Sequence, residues 1–285
     1  MLETNRDQLV ATSVIGEVSS PRASTDPLRV GHDGVARNLP GTGGITYNVK
    51  IGDSAMGWAG DHVEPGVTVK NPDVMQNGAL QALSCVGNRA YIVSGEAKGA
   101  KGYVTGTHGG VEHLICYFDD ETLEALIIGD KIQVRACGQG MEFADHPNVR
   151  IKNLDPNLLT KLGLKAEGDD IRAPVAAVIP PQLMGSGLGA TSDRGDYDIV
   201  TNDKSVHKRY RLQQLRLGDI VAIKDHDNTI GRVYREGAMT IGVIVHSDSY
   251  APGHGPGVTT LLTSSTGNIK PLLDETANIS RYLGV

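Results

Sequence analysis

The chain has 285 residues, among them 36 glycines, one Trp and two Phe, and its formal net charge is −6. The acidic balance argues against nucleic acid as a partner, and no apolar run approaches the roughly 20 residues a membrane helix needs. Abundant glycine with scarce aromatics predicts short strands and tight turns, a mainly β (β-rich α+β) fold with a few short helices. The opening segment, MLETNRDQLVATSVIG, lacks the basic start and long apolar core of a signal peptide. The cysteines are Cys85, Cys116 and Cys137. Their odd number without paired spacing makes no disulfide framework and suits a reducing cytoplasm, each thiol serving as a small buried hydrophobe.

In chain order, Val10 to Val18 read as a first strand, followed by a Pro/Asp/Gly-containing loop to about Asn38. In LPGTGGITYNVKIGD, Ile45, Tyr47 and Val49 alternate as on a strand between turns. PDVMQNGALQALSCVGN predicts a helix capped by Asp73 and stopped at Gly87-Asn88. A glycine-punctuated meander follows, with strands over Tyr91–Val93, Tyr103–Thr105 and Val111–Phe118. IIGDKIQVRACGQG adds a strand entered through a Gly-Asp turn, and NLDPNLLTKLGL a short helix with Asp155 as cap and Pro156 in its first turn. The pattern restarts near Asp169, which divides the chain into an N-terminal β-rich domain (1–168) and a C-terminal one (169–285), packed as one unit. In the second, APVAAVIPP, LRLGDIVAIKDHD and GAMTIGVIVHSDS read as strands. APGHGPG reads as a rigid loop, and PLLDETANISRYLGV as a terminal helix.

The polar chemistry gathers at strand ends. In GTHGGVEH, His108 sits on a glycine turn, and His113 and Glu112 fall on opposite faces of the following strand. GDHVEPG puts His62 and Glu64 on one face if extended. KDHDN offers Asp225 and Asp227 on one side and His226 on the other. VHSDS ends an apolar strand with His246 and Asp248, and His254 lies in the loop beyond. Imidazoles beside carboxylates at the mouths of rigid strands suit a divalent metal such as Zn²⁺, Mn²⁺ or Fe²⁺, or general acid/base work. The expected ligands are drawn from His62, His108, His113, His246 and His254, and the expected proton-transfer groups from Glu64, Glu112, Asp225 and His226. In MGSGLGATSDRGDYD, Asp193, Asp196 and Asp198 could bind Ca²⁺ but lack the full loop pattern, so the segment reads as a solvated acidic loop.

VSGEAKGAKGYVTG resembles the small-barrel turn unit of some ribosomal proteins and transcription elongation factors, through Lys98-Gly99, Gly102 and Val104. It implies local barrel geometry. Together GGITYNVKIGD, WAGDHVEPGV, VSGEAKGAKGYVTGTHGGVEH, GDKIQVRACGQG, MGSGLG with GDYDI, and GAMTIGVIVHSDSYAPGHGPGVT resemble an uncharacterised prokaryotic domain-of-unknown-function family known from structural genomics. That resemblance implies a layered β fold of small barrel-like and sandwich parts, and brings no catalytic residues with it. A fainter likeness, in Gly-Asp strand entries and His/Asp-rich loops, is to the acetamidase/formamidase enzymes.

The leading expectation is an enzyme that hydrolyses a C–N bond of a small polar metabolite with a metal's help. The alternatives are a metal-independent lyase or isomerase using His/carboxylate pairs, and a non-enzymatic oligomeric binding or scaffold protein. A homo-oligomer is expected on any of these views, because few helices are available to cover sheet edges.

Overall fold

The computed structural model describes residues 2–22 and 28–285; residues 23–27 of the loop expected before Asn38 lie outside them. Strand β1 (Thr12–Val18) precedes a short ribbon, β2 (Arg29–Val30) and β3 (Ala36–Arg37), and then β4 (Ile45–Thr46) and β5 (Gly66–Lys70). Helix α1 (Val74–Leu83) leads to β6 (Arg89–Ile92), β7 (Lys101–His108) and β8 (His113–Tyr117), and then to α2 (Asp120–Ala125) and β9 (Lys131–Ala136). Six of these strands close a barrel in the order β1-β9-β6-β7-β8-β5, because β5 pairs back onto β1 at Glu17–Lys70 and Val18–Val69. Closure removes the edges that an open sheet would expose. Side chains alternate as the pleat requires: in β9, Ile132, Val134 and Ala136 point inward, where they meet Val69, Val104 and Leu114. The Lys98-Gly99 turn joins β6 to β7 within this barrel, with Gly99 at φ 101°.

The second half begins with β10 (Arg150–Ile151), α3 (Pro156–Lys161), β11 (Lys165–Glu167), β12 (Asp170–Val175), β13 (Ala177–Ile179) and β14 (Tyr197–Asp198). It continues with α4 (Lys204–Tyr210), β15 (Ile220–Asp227), β16 (Val233–His246), β17 (Gly257–Ser264), β18 (Ile269–Leu273) and α5 (Ile279–Leu283). The main sheet runs β10-β17-β16-β15-β13, with β14 also on β17; β11, β12 and β18 form a smaller sheet. Strand β17 is buried along its whole length, which its unbroken run of Val, Leu and Thr allows. One hydrophobic cluster joins the two halves: Ile115 of the barrel packs with Ile241, Val243, Val245 and Leu261 of the main sheet.

The helix caps follow the sequence. Asp73 accepts from Gln76 N, and Asp155 from Asn157 N and Leu158 N with Pro156 in the first turn. APVAAVIPP differs from the single strand expected: β12 runs parallel to β18, the chain breaks step at Ala176, and β13 runs parallel to β15 in the other sheet. The two Gly-Asp entries repeat one local device. Gly129 and Gly218 take φ 94° and 84°, and Asp130 and Asp219 each accept an amide N–H three residues back, from Ile127 and Arg216. Cys85 and Cys116 are buried and Cys137 half-buried, all as free thiols.

Candidate functional site

Two strand ends from the barrel and two from the main sheet meet at one place. Strands β7 and β8 form a hairpin in which His108 pairs directly with His113. Strand β7 packs on β16 at Gly106, where a Cβ would lie 2.1 Å from Val245 Cγ1; only glycine permits that approach. The contact sets the end of β7 beside the end of β16, which carries His246. On the main sheet, Gly257 of β17 pairs with His246 on one side and with Asp198 of β14 on the other. A Cβ at Gly257 would lie 1.9 Å from Asp196 Oδ2 and 2.2 Å from His246 Nε2, so a bare backbone is what lets these two groups meet.

The site has two adjacent triads. In the first, His108, Asp196 and His246 are all buried, and their ligand atoms lie within 4.8 Å of one another. His246 Nδ1 donates to Ser247 O at 2.8 Å, so Nε2 is the nitrogen that bears the lone pair when the ring is neutral. That nitrogen lies 2.7 Å from Asp196 Oδ2. Neither atom makes a hydrogen bond of acceptable geometry with any group among the described residues. The other oxygen of Asp196 accepts from Gly109 N at 2.7 Å. In the second triad, His62 Nε2 lies 3.0 Å from His254 Nδ1, and Asp198 Oδ2 lies 2.9 Å from His254 Nδ1 and 3.7 Å from His62 Nε2. The triads touch: the His108 and His246 ring centroids are 4.2 Å apart, and those of His62 and His246 5.1 Å.

Behind the first triad stands Glu64, fully enclosed. Its carboxylate accepts from His108 Nδ1, from His113 Nδ1 at 3.0 Å, from the Thr68 hydroxyl and from Gly43 N at 2.8 Å. Because a carboxylate only accepts, His108 carries its proton on Nδ1 and turns Nε2 toward Asp196 and His246. His62 is held from behind in the same way, with Nδ1 3.2 Å from Asp61 Oδ2, and Asp61 is fixed by the Ser249 hydroxyl at 2.7 Å. Its backbone takes φ 53°, a left-handed conformation uncommon for histidine.

The electrostatics follow from this packing. Burial pushes the Glu64 carboxyl up, but hydrogen bonds from His108 and His113 outweigh it and hold it well below the usual carboxylate range. Burial likewise works against ionisation of Asp196 and Asp198, and the imidazoles around them draw both below their ordinary values. Burial disfavours a charged His246, yet Asp196 and Asp198 raise it well above an ordinary histidine. His62 is raised too, Asp198 and Asp61 overcoming its burial. The site opens on a cleft of about 370 Å³ whose polar wall includes Arg29, Thr42, Ser186 and Arg232.

The structure thus draws together the expected His62, His108, His246 and His254, with His113 one step behind through Glu64. His62 and Glu64 do not share one face: the left-handed turn at His62 sends the ring toward His254, while Glu64 turns toward the barrel hairpin. Three expected proton-transfer residues fall elsewhere. Glu112 occupies the β7–β8 turn at φ 58°, with its carbonyl accepting from Asn77 Nδ2. Asp225 sits in a bulge of β15 at φ 52° and caps Gly237 N at 2.8 Å. The same bulge resets the alternation, so His226 turns inward and packs 5.6 Å from the Tyr197 ring, where burial lowers its pKa. The expected solvated acidic loop is also corrected: Asp193 pairs with Lys152 at the surface, but Asp196 and Asp198 are buried and face the histidines. The available signal was Asp196-Tyr197-Asp198, an alternation that puts two carboxylates on one face of a short strand and an aromatic on the other.

Models of the domain of unknown function DUF4438 match the chain in succession, the N-terminal part over residues 28–160 and the C-terminal part over 161–283. A crystal structure described as that of TM1086 is similar with a TM-score of 0.94 at 48% identity, covering 99% of this chain and 99% of that one. No curated protein matches, so nothing there supports the acetamidase/formamidase likeness.

Proposed function

The chain belongs to the DUF4438 family, and from the chemistry of its site we propose that it is a metal-dependent hydrolase acting on a C–N bond of a small polar metabolite. One observation carries the reading: His246 Nε2 and Asp196 Oδ2 face each other at 2.7 Å, buried and otherwise unpartnered. With His246 neutral, its lone pair and the carboxylate oxygen repel at this distance unless a cation stands between them, and a divalent ion that displaces the His246 proton meets that need with His108 Nε2 as third ligand. Imidazole and carboxylate donors suit Zn²⁺, Mn²⁺ or Fe²⁺. Three protein ligands beside an open cleft leave a position for water, and such an ion lowers the pKa of bound water to about 7 and polarises a carbonyl. Asp198 Oδ1 lies 3.6 Å from His246 Nε2, at the edge of this triad. The modest cleft and its wall of Arg29, Thr42, Ser186 and Arg232 fit a small polar substrate.

The test is metal analysis of protein stripped and then reconstituted with each ion, alongside hydrolysis of a panel of small amides. Metal bound at His108, Asp196 and His246 and metal-restored amide hydrolysis, both lost in His246→Ala, are expected. Wild-type protein that retains no divalent ion overturns the reading. The raised pKa of His246 favours a second reading, in which His246 and Asp196 form a proton-transfer pair of a lyase or isomerase. Turnover of such a substrate undiminished by chelation would select it.

A further inference from the structure

We propose that the site holds a second divalent cation, ligated by His62 Nε2, His254 Nδ1 and Asp198 Oδ2, so that Asp198 joins two ions in one centre. The inference rests on the metal reading of the first triad.

The three donor atoms have the spacing of ligands about one ion. Bonds of about 2.0–2.1 Å to a tetrahedral ion put neighbouring ligand atoms roughly 3.3 Å apart, and the three separations here are 2.9, 3.0 and 3.7 Å. The tautomers agree. The proton of His62 belongs on Nδ1, which faces Asp61, so Nε2 presents a lone pair. His254 lies at the rim of the cleft with its side chain about one-third exposed, so Nε2 can carry its proton outward and Nδ1 can turn inward. Asp198 Oδ2, in a residue only 4% exposed, has no hydrogen bond of acceptable geometry among the described residues. His62 Nε2 and His254 Nδ1 hydrogen-bond to each other at 3.0 Å, and once His254 carries its proton on Nε2 three electron-rich atoms converge, one of them a buried carboxylate oxygen with nothing to satisfy it.

The link to the first triad is Asp198 itself. Its Oδ2 faces His254 and His62, while Oδ1 faces His246 Nε2 at 3.6 Å. A carboxylate shared in this way sets two ions about 3.5–4 Å apart, the spacing at which a pair can act on both the attacking and the leaving atom of a hydrolysis. The left-handed backbone at His62 has a use here. It is braced by a hydrogen bond from His62 N to Asp248 O at 3.1 Å, and it swings the ring out of the plane of the Glu64 segment toward His254.

The experiment counts metal. Full-length wild type, His254→Ala and His62→Asn are stripped, loaded with Mn²⁺, freed of excess ion and assayed for manganese per chain and for spin coupling by electron paramagnetic resonance. Asparagine at position 62 keeps the left-handed backbone accessible, and circular dichroism confirms that each variant is folded. Two ions per chain with a coupled signal in wild type, falling to one uncoupled ion in both variants, is the expected result. One ion per chain in wild type and variants alike overturns the second site and leaves the first intact. Two ions retained in either variant overturns this ligand set. No ion in wild type overturns the metal reading itself, and the second site with it.

Discussion

Glu64 and His113 meet at 3.0 Å, with both residues sealed from solvent, and the same carboxylate also receives the Nδ1 proton of His108. One acidic side chain from the segment before β5 therefore clamps the two ends of the β7–β8 hairpin. Removing it leaves two buried imidazoles without their acceptor. Glu64→Ala is expected to cost about 3–5 kcal/mol of stability, read as a lower urea midpoint. Glu64→Gln keeps the shape but is neutral: its oxygen can take the place of Oε1, which both imidazoles reach, while its NH2 stands where Oε2 accepts from Gly43 N and the Thr68 hydroxyl. It is expected to fold and to bind metal roughly 10–100-fold more weakly, as loss of an outer-shell partner does. Unchanged metal affinity in Glu64→Gln would deny that the carboxylate orients His108.

The groups of the site respond to pH in opposite senses. The carboxyl of Glu64 is lower in the folded protein than in the unfolded chain, so its contribution is complete above about pH 4.3 and fades as pH falls toward the folded value. His246 is raised in the folded protein, so its contribution is complete below about pH 6.5 and fades as pH rises through the folded value. Metal-free protein is therefore expected to be most stable in mild acid, between those limits. Metal binding requires the neutral imidazole and must displace the proton of His246, so affinity climbs with pH. The rise in Tm on adding Zn²⁺ or Mn²⁺ is expected to be larger at pH 8 than at pH 6, and thermal scans with and without metal at both values check it. A larger rise at pH 6 would contradict the assignment of His246.

The local signals in the sequence were strong where one residue fixes one conformation. Asp73 and Asp155 announced their helices, and Gly129 and Gly218 their strand entries. Helix α2 went unforeseen because it is one short turn with a single cap, Asp119, and too few residues to show a period. The histidines were legible as candidates because strand ends favour function, but their convergence depends on contacts that cross the chain, such as Gly106 against Val245. Strict alternation misplaced His226, since a bulge of one residue reverses which side chain faces inward.

His226 gives that misplacement a direct test. Its ring lies against Tyr197, and its Nδ1 has no hydrogen-bond partner among the described residues. Tyr197 in turn separates it from the site, since the two aspartates beside that tyrosine point the other way. His226→Gln is expected to bind metal with wild-type stoichiometry and affinity, at a stability cost of about 1 kcal/mol, typical of a buried substitution. Loss of metal in this variant, measured on folded protein, would return His226 to the site.

Gly257 tests the close approach on which the first triad depends. It lies in β17 between His246 and Asp198, and an added Cβ would stand 1.9 Å from Asp196 Oδ2 and 2.2 Å from His246 Nε2. Those side chains cannot retreat easily: His246 is tied through Nδ1 to Ser247 O, and Asp196 to Gly109 N. Gly257→Ala must push them apart or shift the strand, at an overpacking cost of about 1–3 kcal/mol. The strand pairing remains available to alanine, so the fold is expected to survive with a lowered Tm while metal bound at His108, Asp196 and His246 is lost. Metal analysis beside circular dichroism reads both outcomes. A folded Gly257→Ala protein with wild-type metal affinity would show that the 2.7 Å approach of His246 to Asp196 is not what holds the ion.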